Sequence, residues 1–507
     1  MLDLLVIGAG LTGLFAAYTA ARAGLRVRVI AHGAGATHWH AGTVDLIGYL
    51  PNKEEAVTDW TQALPELPPA HPYRILGNEA VAIAMNEFQR LTAAAGLPYV
   101  RAGTAIDLTA SSQQDERISQ RSDSDEQVND PNLGRNYQLI SPVGAPRPVY
   151  LAPAAQQAAN LEVDRPMVII GLEGMPDFYP DLIAENLQRQ GHRARSATVP
   201  LSRVTKRRDN NPLHIARLLD QPATQEHLTQ MVVDVTAADE RVGLPAILGL
   251  YSHLPLLKKI HQAIVNRGPE TTQSCGGQGS GCSAFEIPTL PPSVPGLRLD
   301  AALRTQLTSL GVRVEIGMEV RGFHATGRRI QWIETETGSR PLRHTARNYL
   351  LATGGILGGG IYADRCGSVK ETVFDLPLTA PQTRSQWTRP LFLDAKGHPI
   401  FQAGVNVDDC FRPLDEAGAP VYDNLWAAGS ILAHTDPIRE RSREGIAIAT
   451  GYAAANGVVT SQKRQRSPQI PGHRLYAKRN RELCRPQPER LHKVQHLHQL
   501  LPGLRRD

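Results

Sequence analysis

The 507-residue chain is poor in cysteine, with five in all, an odd and scattered number. That count excludes a disulfide framework and points to a reducing cytoplasm. Long apolar runs are missing too: no stretch of about 18 uninterrupted apolar residues occurs, so no transmembrane helix is expected. The apolar start carries Asp3 where a signal peptide would carry basic residues, and it reads better as a buried parallel strand. No CxxCxxC run is present, so an iron–sulfur cluster of that type is not expected in this chain. No metal site and no nucleic-acid partner are expected either. The formal net charge is only +5.

What charge imbalance exists lies in the tail. Gln462 to Asp507 holds twelve Lys or Arg against three acids, about +9, which leaves the remainder near −4. Leu491, Val494, Leu497 and Leu501 recur there at helical spacing, so an amphipathic helix can form. A solvated tail, an anionic membrane surface and an acidic partner are three open readings of this stretch. His492, His496 and His498 share it without a carboxylate or cysteine beside them.

The strongest positive feature is at the opposite end. Leu4-Leu5-Val6-Ile7 reads as a strand running into Gly8-Ala9-Gly10-Leu11-Thr12-Gly13. Gly8 permits the tight turn, Gly10 lets backbone approach a phosphate, and Gly13 lets the following helix pack on the sheet. An Ala-rich helix from Leu14 to Ala23 and a second strand, Leu25 to Ile30, complete a βαβ unit in thirty residues. A nucleotide or flavin phosphate is therefore expected at the helix N-terminus. The carboxylate that usually holds an adenosine ribose after the second strand is absent, because Ala31-His32-Gly33 stands there. NAD is disfavoured, and a cofactor with a phosphate but no adenosine would not miss the acid.

Further along, Ser111 to Asn132 is a polar run that reads as a surface insertion, and 268–284 is a Gly-rich loop bearing Cys275 and Cys282. Met167 to Gly171, a helix over Asp177 to Gln190 and Arg193 to Val199 form a second βαβ-like unit without a phosphate cradle. Pro245 to Gly249 is a further strand candidate, followed by helices at Leu254 to Asn266 and Asp300 to Leu310. Arg313 to Val320 and Arg329 to Glu336 alternate as an antiparallel layer would. Tyr349 to Gly355 and Asn424 to Ser430 are strands ending in small residues, and Gly445 to Gly451 opens a helix. The expected fold is α/β. Residues 1–60 and 335–460 make a Rossmann-like nucleotide-binding domain, 61–334 an inserted α/β domain, and 462–507 a basic tail.

Three such strands, ending GxGxxG, ATGG and AAGS before a GIAIATG helix, resemble the two-dinucleotide-domain flavoproteins of the FAD/NAD(P)-binding type. Thr37 to Leu46, Ile287 to Leu299 and Gly429 to Ile438 are similar, more closely, to the B subunits of anaerobic glycerol-3-phosphate dehydrogenases. The resemblance implies a flavin subunit with FMN, and FAD as the alternative. It implies a second flavoprotein subunit (A) and a membrane-associated iron–sulfur subunit (C), with the chain cytoplasmic and held at the inner membrane by them. The implied reaction oxidises sn-glycerol 3-phosphate to dihydroxyacetone phosphate, with electrons passing to quinone.

Mapped onto this chain, the cofactor would meet Gly8, Gly10, Gly13, Thr37, Gly42, Gly354, Gly355, Gly429, Ser430, Gly445 and Ile446. His38, His40 and His434 are the candidates for proton acceptor, since imidazole titrates in the useful range. Arg439 and Arg443 are the candidates for the substrate phosphate. Two alternatives stay open: an electron-relay or assembly subunit, and a fumarate-reductase-type flavin enzyme acting on a dicarboxylate.

Overall fold

The computed structural model describes residues 1–101, 133–205, 211–237, 239–266, 284–336 and 340–466. The polar insertion, the two-cysteine loop and nearly all of the basic tail lie outside them.

Along the chain, β1 (Leu2–Ile7), α1 (Leu11–Arg22) and β2 (Val27–Ala31) come first, followed by α2 (Pro72–Ala94). The strands β3 (Met167–Glu173), β4 (Ala194–Pro200), β5 (Arg241–Pro245) and β6 (Ala284–Ile287) belong to the middle of the chain. Then come α3 (Val294–Ser309), β7 (Arg313–Ile316), β8 (Ala346–Leu351), β9 (Leu425–Ala427) and α4 (Arg443–Arg466).

Two parallel sheets result. The first has the order β7-β2-β1-β8-β9 and the second β6-β5-β3-β4. Leu4, Leu5 and Val6 of β1 and Val168, Ile169 and Ile170 of β3 are fully buried. Strands covered on both faces read as continuous apolar runs for this reason. Placing β1 between β2 and β8 puts Gly8 at the carboxyl edge of the sheet, where open α/β folds bind ligands.

Each sheet has its own apolar core. The first core takes residues from 4–99 and 299–459 together with Tyr150 and Leu151, and the second takes residues from 100–294. The boundaries expected at 60/61 and 334/335 therefore move. α2 packs Phe88 edge-on against Phe15 of α1, with ring centroids 5.8 Å apart, so it belongs with the first sheet. Arg313–Ile316 also belongs there: it pairs parallel with β2 instead of joining an antiparallel layer. The antiparallel partners of Arg329–Glu336 are Glu319–Thr326 and Leu342–His344.

A buried ion pair ties the two regions. Arg298 on α3 donates to both carboxylate oxygens of Glu286 on β6, at 2.6 and 2.9 Å, and to the Gly249 carbonyl at 2.8 Å. Both side chains are almost fully buried. Losing either partner would strand an uncompensated charge, which typically costs about 3–5 kcal/mol.

Among the described residues no helix is long and apolar enough to cross a membrane.

Candidate functional site

At the end of β1 the glycines divide their work. Gly8 has φ +119°, and a Cβ there would strike the Ala352 carbonyl; a Cβ on Gly13 would strike the Gly8 carbonyl. These two close the turn and seat α1 on the sheet. Gly10 is different, because nothing lies within 4 Å of where its Cβ would be. It is the N-cap of α1, with no side-chain cap and no acid in the first turn. The first N–H groups of a helix have no intrahelical partners and carry the positive end of its dipole, so this end suits an anion. A Cβ on Gly429 would strike the Thr12 side chain, and one on Gly451 of α4 would lie 3.0 Å from the Thr12 carbonyl oxygen. The expected phosphate turn, β9 end and last helix therefore meet around the start of α1.

The loop from Thr37 to Thr43 is gripped from several elements. Ser293 Oγ donates to the His40 carbonyl at 2.6 Å and accepts from Gly296 N–H, capping α3. Ser293 N–H donates to the His38 carbonyl, Gln156 Nε2 to the Ala41 carbonyl at 2.9 Å, and Tyr99 Oη to the Gly42 carbonyl. Gly42 has φ +90° and sits against Pro295. The unusual segment from Ile287 to Leu299 thus serves to clamp this loop.

His40 is buried, and its Nδ1 accepts from Gly42 N–H at 2.7 Å, so the ring proton sits on Nε2. Among the described residues that N–H has no protein partner, and neither do the buried hydroxyls of Thr37 and Thr353. Buried polar groups normally find partners. Three that do not, around an uncapped helix start, fit a polar ligand such as a flavin. Burial lowers the His40 pKa to about 3, helped by the Arg443 and Arg147 guanidinium groups. With its Nδ1 lone pair engaged by Gly42 N–H, His40 presents a donor and not the proton acceptor expected of it. His38 is half-buried and packs edge-on against Trp39.

On the other side, Gly354 has φ +81°, and a Cβ on Gly355 would strike the Ser430 carbonyl. Gly429 N–H donates to Thr450 Oγ1 at 2.8 Å. His434 and Arg441 hold left-handed backbone, with φ +68° and +48°, a strain that clusters at functional loops. His434 Nε2 lies 2.9 Å from Asn406 Oδ1, and burial, with His71 nearby, lowers its pKa. The loop is braced by Glu440, whose carboxylate accepts from Ser442 Oγ and faces His71 Nε2 at 3.3 Å.

Two expectations need correction. Gly445 N–H donates to the Asp45 carbonyl and Ile446 N–H to the Ser442 carbonyl, while Tyr73 Oη covers Gly445, so neither amide is free for a cofactor. Arg439 directs its guanidinium to the Ala395 and Lys53 carbonyls and lies over the Tyr49 ring, so it is a structural cation. Arg443 keeps 54% of its side chain exposed and stays available. Tyr99, Gln156 and Ser293 carry no sign of a site role in the sequence, apart from the Ser-x-x-Gly cap at positions 293 and 296.

A family model described as an FAD binding domain matches residues 3–445. By that match, and in keeping with its glycine turn, the protein is a flavoprotein of the FAD-binding class. A probable B subunit of anaerobic glycerol-3-phosphate dehydrogenase from Halobacterium salinarum is 32% identical over 470 residues, covering 90% of this chain and 97% of that one. The B subunit of the Vibrio cholerae enzyme is 28% identical over 484 residues, covering 92% and 99%. The chain belongs to the family of anaerobic glycerol-3-phosphate dehydrogenase B subunits. Among solved structures, a 3-ketosteroid delta1-dehydrogenase from Sterolibacterium denitrificans covers 91% of this chain and 99% of its own. It does so at 10% identity and a TM-score of 0.39, a likeness too loose to bear on function.

Proposed function

We propose that this chain is the flavin-carrying subunit of a respiratory sn-glycerol-3-phosphate dehydrogenase, a glycerol-3-phosphate:quinone oxidoreductase yielding dihydroxyacetone phosphate. The observation that carries this reading is the trio of unpartnered buried groups, Thr37 Oγ1, His40 Nε2 and Thr353 Oγ1, around the open start of α1. Gly8, Gly10, Gly13, Gly42, Gly354, Gly355, Gly429 and Ser430 would line the cofactor. When bound, the flavin supplies the acceptor for the C2 hydride of the alcohol.

The chain's own residues do the rest. His40 Nε2–H orients by donation. His434 presents Nε2 to Asn406 and so keeps a lone pair on Nδ1 for the hydroxyl proton; its lowered pKa keeps it neutral at pH 7. His38 is the second choice for that proton. FMN accords with the missing carboxylate at Ala31-His32-Gly33. FAD is favoured by the family model and by Glu319, whose Oε2 lies 3.3 Å from His32 Nδ1 and brings a carboxylate to the end of β2.

The test is anaerobic mixing of the full, flavin-bearing chain with glycerol 3-phosphate. Bleaching of the flavin absorbance is expected. An unbleached flavin in a complex that still turns over would assign this chain to electron relay, and bleaching by succinate instead would assign it to the fumarate-reductase type. The mass of the released cofactor decides between FMN and FAD.

Electrons would leave through a second flavoprotein subunit and an iron–sulfur subunit that holds the assembly at the inner membrane face. In support, Leu391, Phe392 and Leu393 are 68, 89 and 88% exposed in succession, which suits burial against a partner protein. Phe392→Asp should leave flavin content unchanged and lower co-purification of the partner subunits at least ten-fold; full co-purification would remove this loop from the interface.

A further inference from the structure

The segment from Thr43 to Tyr49 brings a cation from the inserted region to the flavin side of the molecule. Arg147 lies on the strand Pro146–Val149, and its Nε and Nη2 both donate to Asp45 Oδ2, at 3.1 and 2.7 Å. Asp45 is buried and receives Thr43 Oγ1 on its other oxygen. The guanidinium plane is thus fixed by two of its five N–H donors. Nη1 makes no hydrogen bond among the described residues, and 18% of the side chain remains open.

Gly48 sets the neighbourhood. From the position a Gly48 Cβ would take, Pro148 Cγ and Arg441 Cβ each lie 3.1 Å away and the Glu440 carbonyl 3.3 Å. Gly48 and Tyr49 N–H both donate to that carbonyl, and Gly445 N–H donates to the Asp45 carbonyl. The strand carrying Arg147 is therefore pinned beside the loop that leads into Arg443 at the start of α4. Among the described residues the Arg443 side chain is held by Glu444 alone, at 3.6 Å. Both guanidinium groups act on His40, the unpartnered donor of the flavin loop.

We infer that Arg147 and Arg443 together form the subsite that receives the phosphate monoester of the substrate, with Asp45 and Thr43 positioning Arg147. A planar fork with its inner edge fixed and its outer edge free suits phosphate oxygens. Arg443 adds a second, mobile cation from the helix start. This assignment rests on the proposed glycerol 3-phosphate reading, and it gives Arg147 the role expected of Arg439, whose Nε and Nη2 hold backbone carbonyls and whose guanidinium lies over the Tyr49 ring.

The experiment uses the full chain with its flavin bound. Calorimetric Kd values for glycerol 3-phosphate and for inorganic phosphate are compared in wild type, Arg147→Lys and Arg443→Ala, with flavin reduction rates alongside. The lysine keeps a cation on Asp45, and Arg443 is exposed, so both variants should fold. Each is expected to weaken both ligands ten-fold or more and to raise KM, while the limiting rate of flavin reduction stays within about three-fold. Unchanged Kd values in both variants would overturn the assignment. If wild type binds inorganic phosphate through these arginines but glycerol 3-phosphate leaves its flavin oxidised, the functional reading fails and the anion subsite stands. If wild type binds neither, both fall.

Discussion

The five-stranded and four-stranded sheets are built by one rule, with parallel strands, apolar faces and helices packed on them, yet their carboxyl edges differ. In the middle sheet a carboxylate of the chain already occupies the turn that leads into a helix. Asp220 accepts from Leu250, Tyr251 and Ser252 N–H at 3.0–3.1 Å, just before the helix His253–Val265. Its β3 end is closed too, since a Cβ on Gly171 would sit 2.7 Å from Pro180 Cγ. In the first sheet the equivalent position is bare: α1 starts at Gly10 without a capping side chain, and space is open above it. A carboxylate of the chain braces the turn that leads into the middle-sheet helix, whereas no carboxylate stands by the start of α1, which leaves that end suited to an external anion.

The most severe way to break the contrast is to supply the missing acid. Gly10 has φ −78°, which any residue tolerates, so Gly10→Asp can fold and cap α1. Replacing an N-cap Gly by Asp changes stability by only about a few tenths of a kcal/mol. Flavin should be lost completely, leaving a colourless protein with wild-type circular dichroism and a Tm close to that of the wild-type apoprotein. The reciprocal change, Asp220→Ala, should lower stability by about 1–3 kcal/mol through orphaned amides and leave flavin content at wild-type level. A Gly10→Asp protein that purifies with stoichiometric flavin would remove α1 from the cofactor site.

Local signals made half of this contrast legible in advance. Glycine spacing after an apolar run is written in six consecutive residues, so the phosphate turn and the strands at Tyr349 and Leu425 could be read directly. The return of α3 and β7 to the first sheet could not, because the pairing partners Arg28 and Arg313 are separated by the entire inserted region. Nothing in Arg313–Ile316 says whether it pairs with β2 or with a hairpin neighbour. Arg147 was illegible for a different reason: flanked by Pro146 and Pro148 it reads as a turn, and its significance comes from Asp45, a hundred residues away. Tyr99 and Gln156 act on backbone carbonyls, which carry no sequence identity at all.

A finer probe compares one buried histidine from each region. His40 beside the first sheet and His253 beside the second are both buried, and burial pushes both pKa values down. Among the described residues neither ring nitrogen of His253 has a partner, whereas His40 uses Nδ1 on Gly42 and leaves only Nε2–H over. With a folded value of about 3 and an unfolded value near 6.5, the unfolded chain binds the extra proton between those limits. Stability contributed by neutral His40 is therefore complete above pH 6.5 and is lost progressively as pH falls toward 3. At pH 5 the deficit amounts to about 2 kcal/mol. Urea unfolding at pH 7.5 and pH 5 should show that His40→Gln flattens the acid loss by an amount of this order and that His253→Gln flattens it in the same direction. Only His40→Gln should also weaken flavin retention on dialysis, because only there does the spare N–H face a ligand. Equal retention in both variants would make His40 a packing residue like its counterpart, and the two sheets would then differ at the helix start alone.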